Sequence, residues 1–253
     1  MNENQTTEDL FLGGQLRLCQ PKSGHRAGHD AMLLAAATSA RPGDRVVEFG
    51  AGVGAAGLAV ARRIDAIELV LVEIDSRLAE LARDNAARNA IAADVVVLDV
   101  AAAAEAFAAT GLVPDSVDVV LMNPPYNDAA RHRASPDPTR AGAHMADDST
   151  LENWVHASRR ILKSGGVLTL IWRADALAAV FDALSRGFGS LVIQPVHAEP
   201  AKPAIRVLVR AVKGGKAPTR IIAGLMLNDE SGMPKKEVTE ILAGKGSLPL
   251  TKT

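Results

Sequence analysis

From about residue 44 onward, short β-branched and aliphatic runs alternate with longer alanine-rich stretches whose apolar positions recur at helical spacing. The pattern predicts strands at Arg45–Phe49, Glu68–Val72, Asp94–Leu98, Ser116–Met122, Gly166–Trp172, Ser190–His197 and Ala204–Val212. Helices are predicted near 54–63, 76–90, 100–109, 150–163 and 174–186. Such alternation builds a mostly parallel α/β sheet with crossover helices on both faces. Lys163-Ser164-Gly165-Gly166 is a helix stop ahead of the fifth strand. The last two strands follow each other without a helical pattern, so they are expected to form an antiparallel hairpin at one sheet edge, which brings the count to seven strands. Residues 127–149 and the tail from Arg220 resist the scheme, and a structureless loop of that length is more often functional than decorative. With no repeat and no low-complexity linker, the chain reads as a single domain over 1–253. It divides into an N-terminal extension (1–44), a core (45–213) and a C-terminal tail (214–253).

Composition narrows the class. A chain of 253 residues can bury a core without covalent staples. Cys19 is the only cysteine, so no disulfide can form within the chain, which favours a reducing compartment. The first ten residues are polar and acidic where a secretory signal is basic and then apolar, and no apolar run reaches membrane-spanning length. The expectation is a soluble cytoplasmic protein. A net charge of −1 hides an asymmetry: residues 1–126 carry 10 basic and 17 acidic side chains, residues 127–253 carry 18 and 12. The second half therefore keeps a polyanionic partner in play.

Chemistry concentrates where strands end. Phe49-Gly50-Ala51-Gly52-Val53-Gly54 leads from the first strand into the first helix, and Gly52 to Gly57 satisfies a dinucleotide-binding fingerprint. Glycines there let the backbone approach a ligand, and Glu73 ends the second strand where a ribose-binding acid belongs. The loop by itself does not choose between NAD and S-adenosylmethionine. Asp99, after the third strand, can accept a hydrogen bond from an adenine amine; the plainer alternative is a cap on the helix expected near Ala101. Asn123-Pro124-Pro125-Tyr126 ends the fourth strand. Two prolines fix the backbone and remove two donors, so the Pro124 carbonyl and the Asn123 side-chain amide can aim acceptors at one exocyclic amine. Tyr126, the only tyrosine, can stack on the base delivered there.

With these motifs the chain resembles the class I S-adenosylmethionine-dependent methyltransferases that act on amino groups, with a Rossmann-like seven-stranded sheet. More closely it resembles bacterial tRNA N6-adenine methyltransferases of the methyltransferase small domain group, which modify an adenine beside the anticodon of a valine tRNA. The likeness runs from Gly24-His25-Arg26-Ala27-Gly28-His29-Asp30 to Gly224-Leu225-Met226-Leu227-Asn228-Asp229. It implies S-adenosylmethionine as cofactor, held by Asp30 near the methionine end, by Glu48, Gly50, Gly52 and Gly54, by Glu73 on the ribose with Ile74 beside it, and by Asp99 with Val100 at the adenine. Val100-Ala101 departs from the family in offering little bulk to the adenine ring. Asn123, Pro124 and Tyr126 become the catalytic set, and Pro125 belongs to the substrate side.

Two basic segments compete for the RNA. Arg131, Arg133 and Arg140 punctuate the long loop, but interleaved aspartates make a self-paired loop an equal reading. Arg206 and Arg210 share a strand face by period-2 geometry, in a segment from Ala201 to Arg220 with six basic and no acidic residues; a charged sheet edge looks similar. His25 and His29 have i, i+4 spacing but no third ligand close in sequence, so no metal is expected. The expected activity is methyl transfer to the N6 amine of an adenine in RNA. Three rivals are a release-factor glutamine N5-methyltransferase, a DNA adenine methyltransferase and, from another class, an NAD-type oxidoreductase, which gives the Asn-Pro-Pro-Tyr tetrad no task.

Overall fold

Strand segments apolar at every position, such as Leu69-Val70-Leu71-Val72 and Val119-Val120-Leu121-Met122, suit only a sheet covered on both faces. The computed structural model describes residues 6–23, 26–125 and 139–252, without the side chains of 139–148 and 252. In chain order its elements are β1 (Thr6–Phe11), β2 (Leu16–Pro21), α1 (His29–Ala37), β3 (Arg45–Phe49), α2 (Ala55–Arg63), β4 (Glu68–Glu73) and α3 (Ser76–Arg88). There follow β5 (Asp94–Val97), α4 (Ala104–Ala109), β6 (Val117–Met122), α5 (Thr139–Ile161), β7 (Leu162–Arg173) and α6 (Leu177–Leu184). The chain closes with β8 (Phe188–His197), β9 (Ala204–Lys213), β10 (Arg220–Ile221), β11 (Leu225–Met226) and α7 (Lys236–Leu242).

The main sheet runs β5-β4-β3-β6-β7-β9-β8-β10, and β11 also pairs with β8. Only β9 runs against its neighbours, antiparallel to both β7 and β8. Leaving β3, the chain builds β4 and β5 on one side and returns to β6 on the other, so β3 and β6 flank the switch point where open α/β sheets bind ligands. Pleating sorts the side chains. Val46, Leu69, Leu71, Val119 and Leu121 pack with α1, α2, α3 and α7, whereas Val47, Phe49, Val70, Val72, Val120 and Met122 pack with α4, α5 and α6. No described helix is long and apolar enough to cross a membrane.

The predicted core elements all form, with the expected hairpin. The strand count rises from seven to nine because β10 and β11 pair with β8, where they satisfy a backbone edge that would otherwise be open. Residues 163–166 do not precede the strand but lie inside β7, where Gly165 has φ +79° and the register against β6 shifts between Val117 and Val119. Helix α5 begins at Thr139, about one element-length before the predicted start near 150, in a stretch without an apolar stripe. Among the described residues ahead of β3, the chain forms the β1–β2 hairpin and α1. Buried Asn85 and Asn89 of α3 grip that hairpin: Asn85 accepts from Cys19 N (2.7 Å) and donates to Cys19 O (3.1 Å), and Asn89 accepts from Arg17 N (2.9 Å) and donates to Arg17 O (2.7 Å).

Candidate active site

Sheet register places the strand-end residues in one row. Phe49 pairs with Met122 on one side and with Val72 on the other, and Glu73 pairs with Val97. Asn123, Gly50 and Glu73 are therefore neighbours across three strands, with Asp99 two residues past the end of β5. At a strand spacing of about 4.8 Å the row from β6 to β5 spans ~14 Å, the scale of an extended nucleoside with a side arm.

The glycine loop divides its labour. Gly50, Gly52 and Gly54 have φ of +64°, +57° and +85°, in the left-handed region that favours glycine. Gly54 caps α2 in the left-handed conformation, and its amide donates to Ala51 O at 2.8 Å. A Cβ on Gly57 would lie 2.6 Å from Leu71 Cδ2, so this glycine allows the helix to press on the sheet. A Cβ on Gly52 would meet nothing within 4 Å; the loop opens there to solvent or ligand. A Cβ on Gly50 would run into the Trp154 ring, which α5 delivers edge-on to Phe49 with centroids 6.4 Å apart. Sequence reasoning missed Trp154. Its only signal is that it is one of two tryptophans in a chain with 3% aromatic residues.

Two carboxyls brace the loop from below. Glu73 Oε2 accepts from Gly52 N (2.7 Å) and Oε1 from Asp75 N (2.9 Å), while Asp75 caps α3 through Arg77 N and Leu78 N. Glu48, on the face toward α2, accepts from Gly57 N at 2.7 Å and is 5% exposed. Burial pushes its pKa up to about 8, the Gly57 amide opposes the rise, and the Glu73 charge adds to it. At neutral pH Glu48 is mainly a neutral acid buttressing the loop.

The remaining expected cofactor residues spread along the edge. Ile74 is 63% exposed, an apolar surface next to Glu73, while Val100 is buried. Asp99 is exposed and its Oδ1 accepts from Ala101 N at 2.8 Å, which closes a local turn; α4 begins only at Ala104, without a side-chain cap, so Asp99 does not cap it, and the turn uses one carboxylate oxygen. Asp30, in the first turn of α1, pairs with Arg206 Nε at 3.0 Å. The set fits S-adenosylmethionine at the glycine loop, which is open at Gly52, and beside that loop Asn123 carries an orphaned acceptor. Asn123 Oδ1 is buried with no hydrogen-bond partner among the described residues. A buried carbonyl oxygen left unpaired costs free energy, which a donor brought by a ligand would recover. Pro124 is buried and Pro125 exposed.

The basic candidates separate. Tyr126, Arg131 and Arg133 lie outside the described residues; Arg140 is in α5, its side chain outside them. Arg206 sits at the carboxyl edge, opposite Arg173 of β7. Arg210 does not join it. It lies four residues further along antiparallel β9, about 13 Å away at the strand rise, and lines a cavity at the amino edge of the sheet. Period-2 geometry fixes a shared face, not a shared end. His29 is exposed at the start of α1 and His25 lies outside the described residues.

Comparison with known proteins identifies the family by its methyltransferase small domain model, which matches residues 25–194. A protein of Bacteroides thetaiotaomicron named tRNA1(Val) (adenine(37)-N6)-methyltransferase is 27% identical over 233 residues, 92% of this chain and 90% of its own length. A ribosomal RNA small subunit methyltransferase C of Pseudomonas syringae pv. tomato is 30% identical over 130 residues, 51% of this chain and 32% of its own. Among solved structures, a predicted O-methyltransferase from Agrobacterium tumefaciens superposes with a TM-score of 0.71 at 33% identity, covering 87% of this chain and 98% of that one.

Proposed function

The chain belongs to the methyltransferase small domain family, and on that premise we propose that it methylates the N6 amine of an adenine in tRNA. The observation that carries this reading is the buried Asn123 Oδ1 at the end of β6, beside the glycine loop and without a partner among the described residues. When bound, S-adenosylmethionine supplies an electrophilic methyl group. In this reading the glycine loop, Glu73 and Asp99 hold it, with Ile74 lending apolar surface to its adenine and Asp30 standing toward its methionine end.

The work left to the protein is alignment. An adenine amine conjugates its lone pair into the ring. Two acceptors drawing on its two hydrogens hold the nitrogen so that the lone pair faces the methyl donor. Asn123 Oδ1 and the Pro124 carbonyl are those acceptors, and the proline pair prevents the backbone from offering competing donors. Both bonds strengthen as the nitrogen acquires positive charge, so they favour the transition state over the ground state. Tyr126 stacks on the delivered base, and Arg206 with the 131–140 segment grips the RNA backbone. The molecule works as one domain in the cytoplasm, where unmodified tRNA is available.

Single-turnover assays on unmodified tRNA with labelled methyl donor test the reading. Wild type should place the label on N6-methyladenosine, and Asn123→Ala should slow the step by roughly 10²–10³-fold while S-adenosylhomocysteine binds with near wild-type affinity. Normal turnover by Asn123→Ala, or label on a ribose oxygen or a protein glutamine, would overturn it.

A further inference from the structure

The amino edge of the sheet, at the opposite end of β6 from Asn123, holds a cavity of about 440 Å³. It is lined by Arg41, Arg63, Lys163 and Arg210 against only Asp44 and Asp118. We propose that this cavity is an anion site that takes a phosphoryl group, supplied by an RNA backbone phosphate or by a free oligophosphate. Only the RNA source rests on the function proposed above.

Both acids are already engaged. Asp118 accepts from Lys163 Nζ at 2.7 Å through Oδ1 and from Arg45 N at 2.9 Å through Oδ2, and Asp44 Oδ2 accepts from Arg41 N at 2.8 Å. The guanidiniums are not matched in the same way. Arg63 is fixed by one nitrogen, which donates to Ala35 O (2.8 Å) and Thr38 O (2.6 Å), neither of them an anion. The side chain of Arg210 has no hydrogen bond or ion pair among the described residues, and its Nε is buried. The cross-strand neighbour of Arg210 on β7 is Thr169, whose buried Oγ1 also lacks a partner among the described residues.

The sheet adds a second charge to the row. Arg210 of β9 and Arg220 of β10 both pair with Val192 of β8, from opposite sides, so their side chains leave the same face. Burial lowers the pKa of Arg63 and of Arg210, and the charge of Arg220 lowers that of Arg210 further. Arg63 and Arg210 are half-buried; holding like charges partly out of water without a counterion is costly, and an anion offsets that cost. The hydroxyl-bearing Ser39 and Ser164 also line the cavity, giving it more donors than a two-oxygen carboxylate would use. A phosphoryl group, with three or more acceptor oxygens and up to two charges, matches them.

Calorimetry of the full chain with pyrophosphate tests the site without any methyl transfer. Wild type should bind one pyrophosphate saturably, more weakly as salt rises. Arg210→Gln should weaken binding by about tenfold or more, the scale of one lost charged hydrogen bond. Arg41→Gln, at an exposed turn position, should weaken it severalfold. S-adenosylhomocysteine affinity should stay unchanged in both variants, which verifies that the carboxyl edge is intact. No saturable binding by wild type, or wild-type affinity in both variants, would sink the proposal. Unmodified tRNA then assigns the source: displacement of pyrophosphate identifies a backbone phosphate, and simultaneous binding identifies a free oligophosphate.

Discussion

At the scale of single residues, two acids facing one glycine loop behave differently because their surroundings differ. Glu73 reaches the strand end and satisfies two amides, whereas Glu48 is enclosed between β3 and α2, and its pKa rises from the ordinary 4.5 to about 8. A raised carboxyl pKa means that the folded state binds the extra proton between those two values. Stability from this group is therefore full below pH 4.5 and is lost as pH rises through 8. Glu48→Gln keeps an acceptor for Gly57 N and cannot ionise. Denaturant unfolding should find the variant near wild type at pH 5 and more stable by roughly 2–4 kcal/mol at pH 9. A variant whose stability falls with pH as steeply as wild type would show that Glu48 is not the titrating group. Asp99 is exposed, so its contribution depends on the ligand. Asp99→Ala should weaken S-adenosylhomocysteine binding by about 1–3 kcal/mol in calorimetry, through the loss of a hydrogen bond to a charged acceptor.

At the scale of elements, α3 ties together parts distant in sequence. Asn85 bonds the β2 backbone at Cys19 and also donates to Val53 O in the glycine loop at 3.1 Å. One side chain thus joins the N-terminal hairpin to the turn that would hold the cofactor. Asn85→Leu keeps the volume but strands Cys19 N and Cys19 O beneath an apolar group. We expect a loss of about 2–4 kcal/mol in global stability, with amide exchange accelerated first in Leu16–Pro21. Exchange that speeds up uniformly, leaving the hairpin no worse than the core strands, would contradict a local tie.

At the scale of the whole molecule, the row from Asn123 to Asp99 crosses strands β6, β3, β4 and β5, so a ligand seated along it staples the two halves of the sheet at their switch point. A ligand that binds only the folded chain stabilises it by mass action, about 2.7 kcal/mol at 100 times its Kd. For a protein of this size S-adenosylhomocysteine at that level should raise Tm by roughly 5–10 °C. NAD at the same concentration should leave Tm unchanged. A larger shift with NAD would reassign the loop to dinucleotide chemistry.

Period and local chemistry made the core α/β alternation legible, because a strand apolar at every position and a helix with one apolar stripe differ within a few residues. They also exposed Gly50-Ala51-Gly52-Val53-Gly54, Glu73 and Asn123-Pro124-Pro125-Tyr126, where residue type alone limits what the backbone and side chain can do. The hairpin of the first 44 residues left a weaker local signal: β1 is only half-buried, and its hold on α3 comes from Asn85 and Asn89, more than 60 positions away. Contacts of that kind decided the rest. Trp154 meets Gly50 across a crossover, Arg206 finds Asp30 across 176 positions, and Arg210 lands at the far end of the sheet because β9 runs antiparallel. Spacing along one strand states which face a side chain takes; which end of the molecule it reaches depends on strand direction, which is settled only when the strands pair.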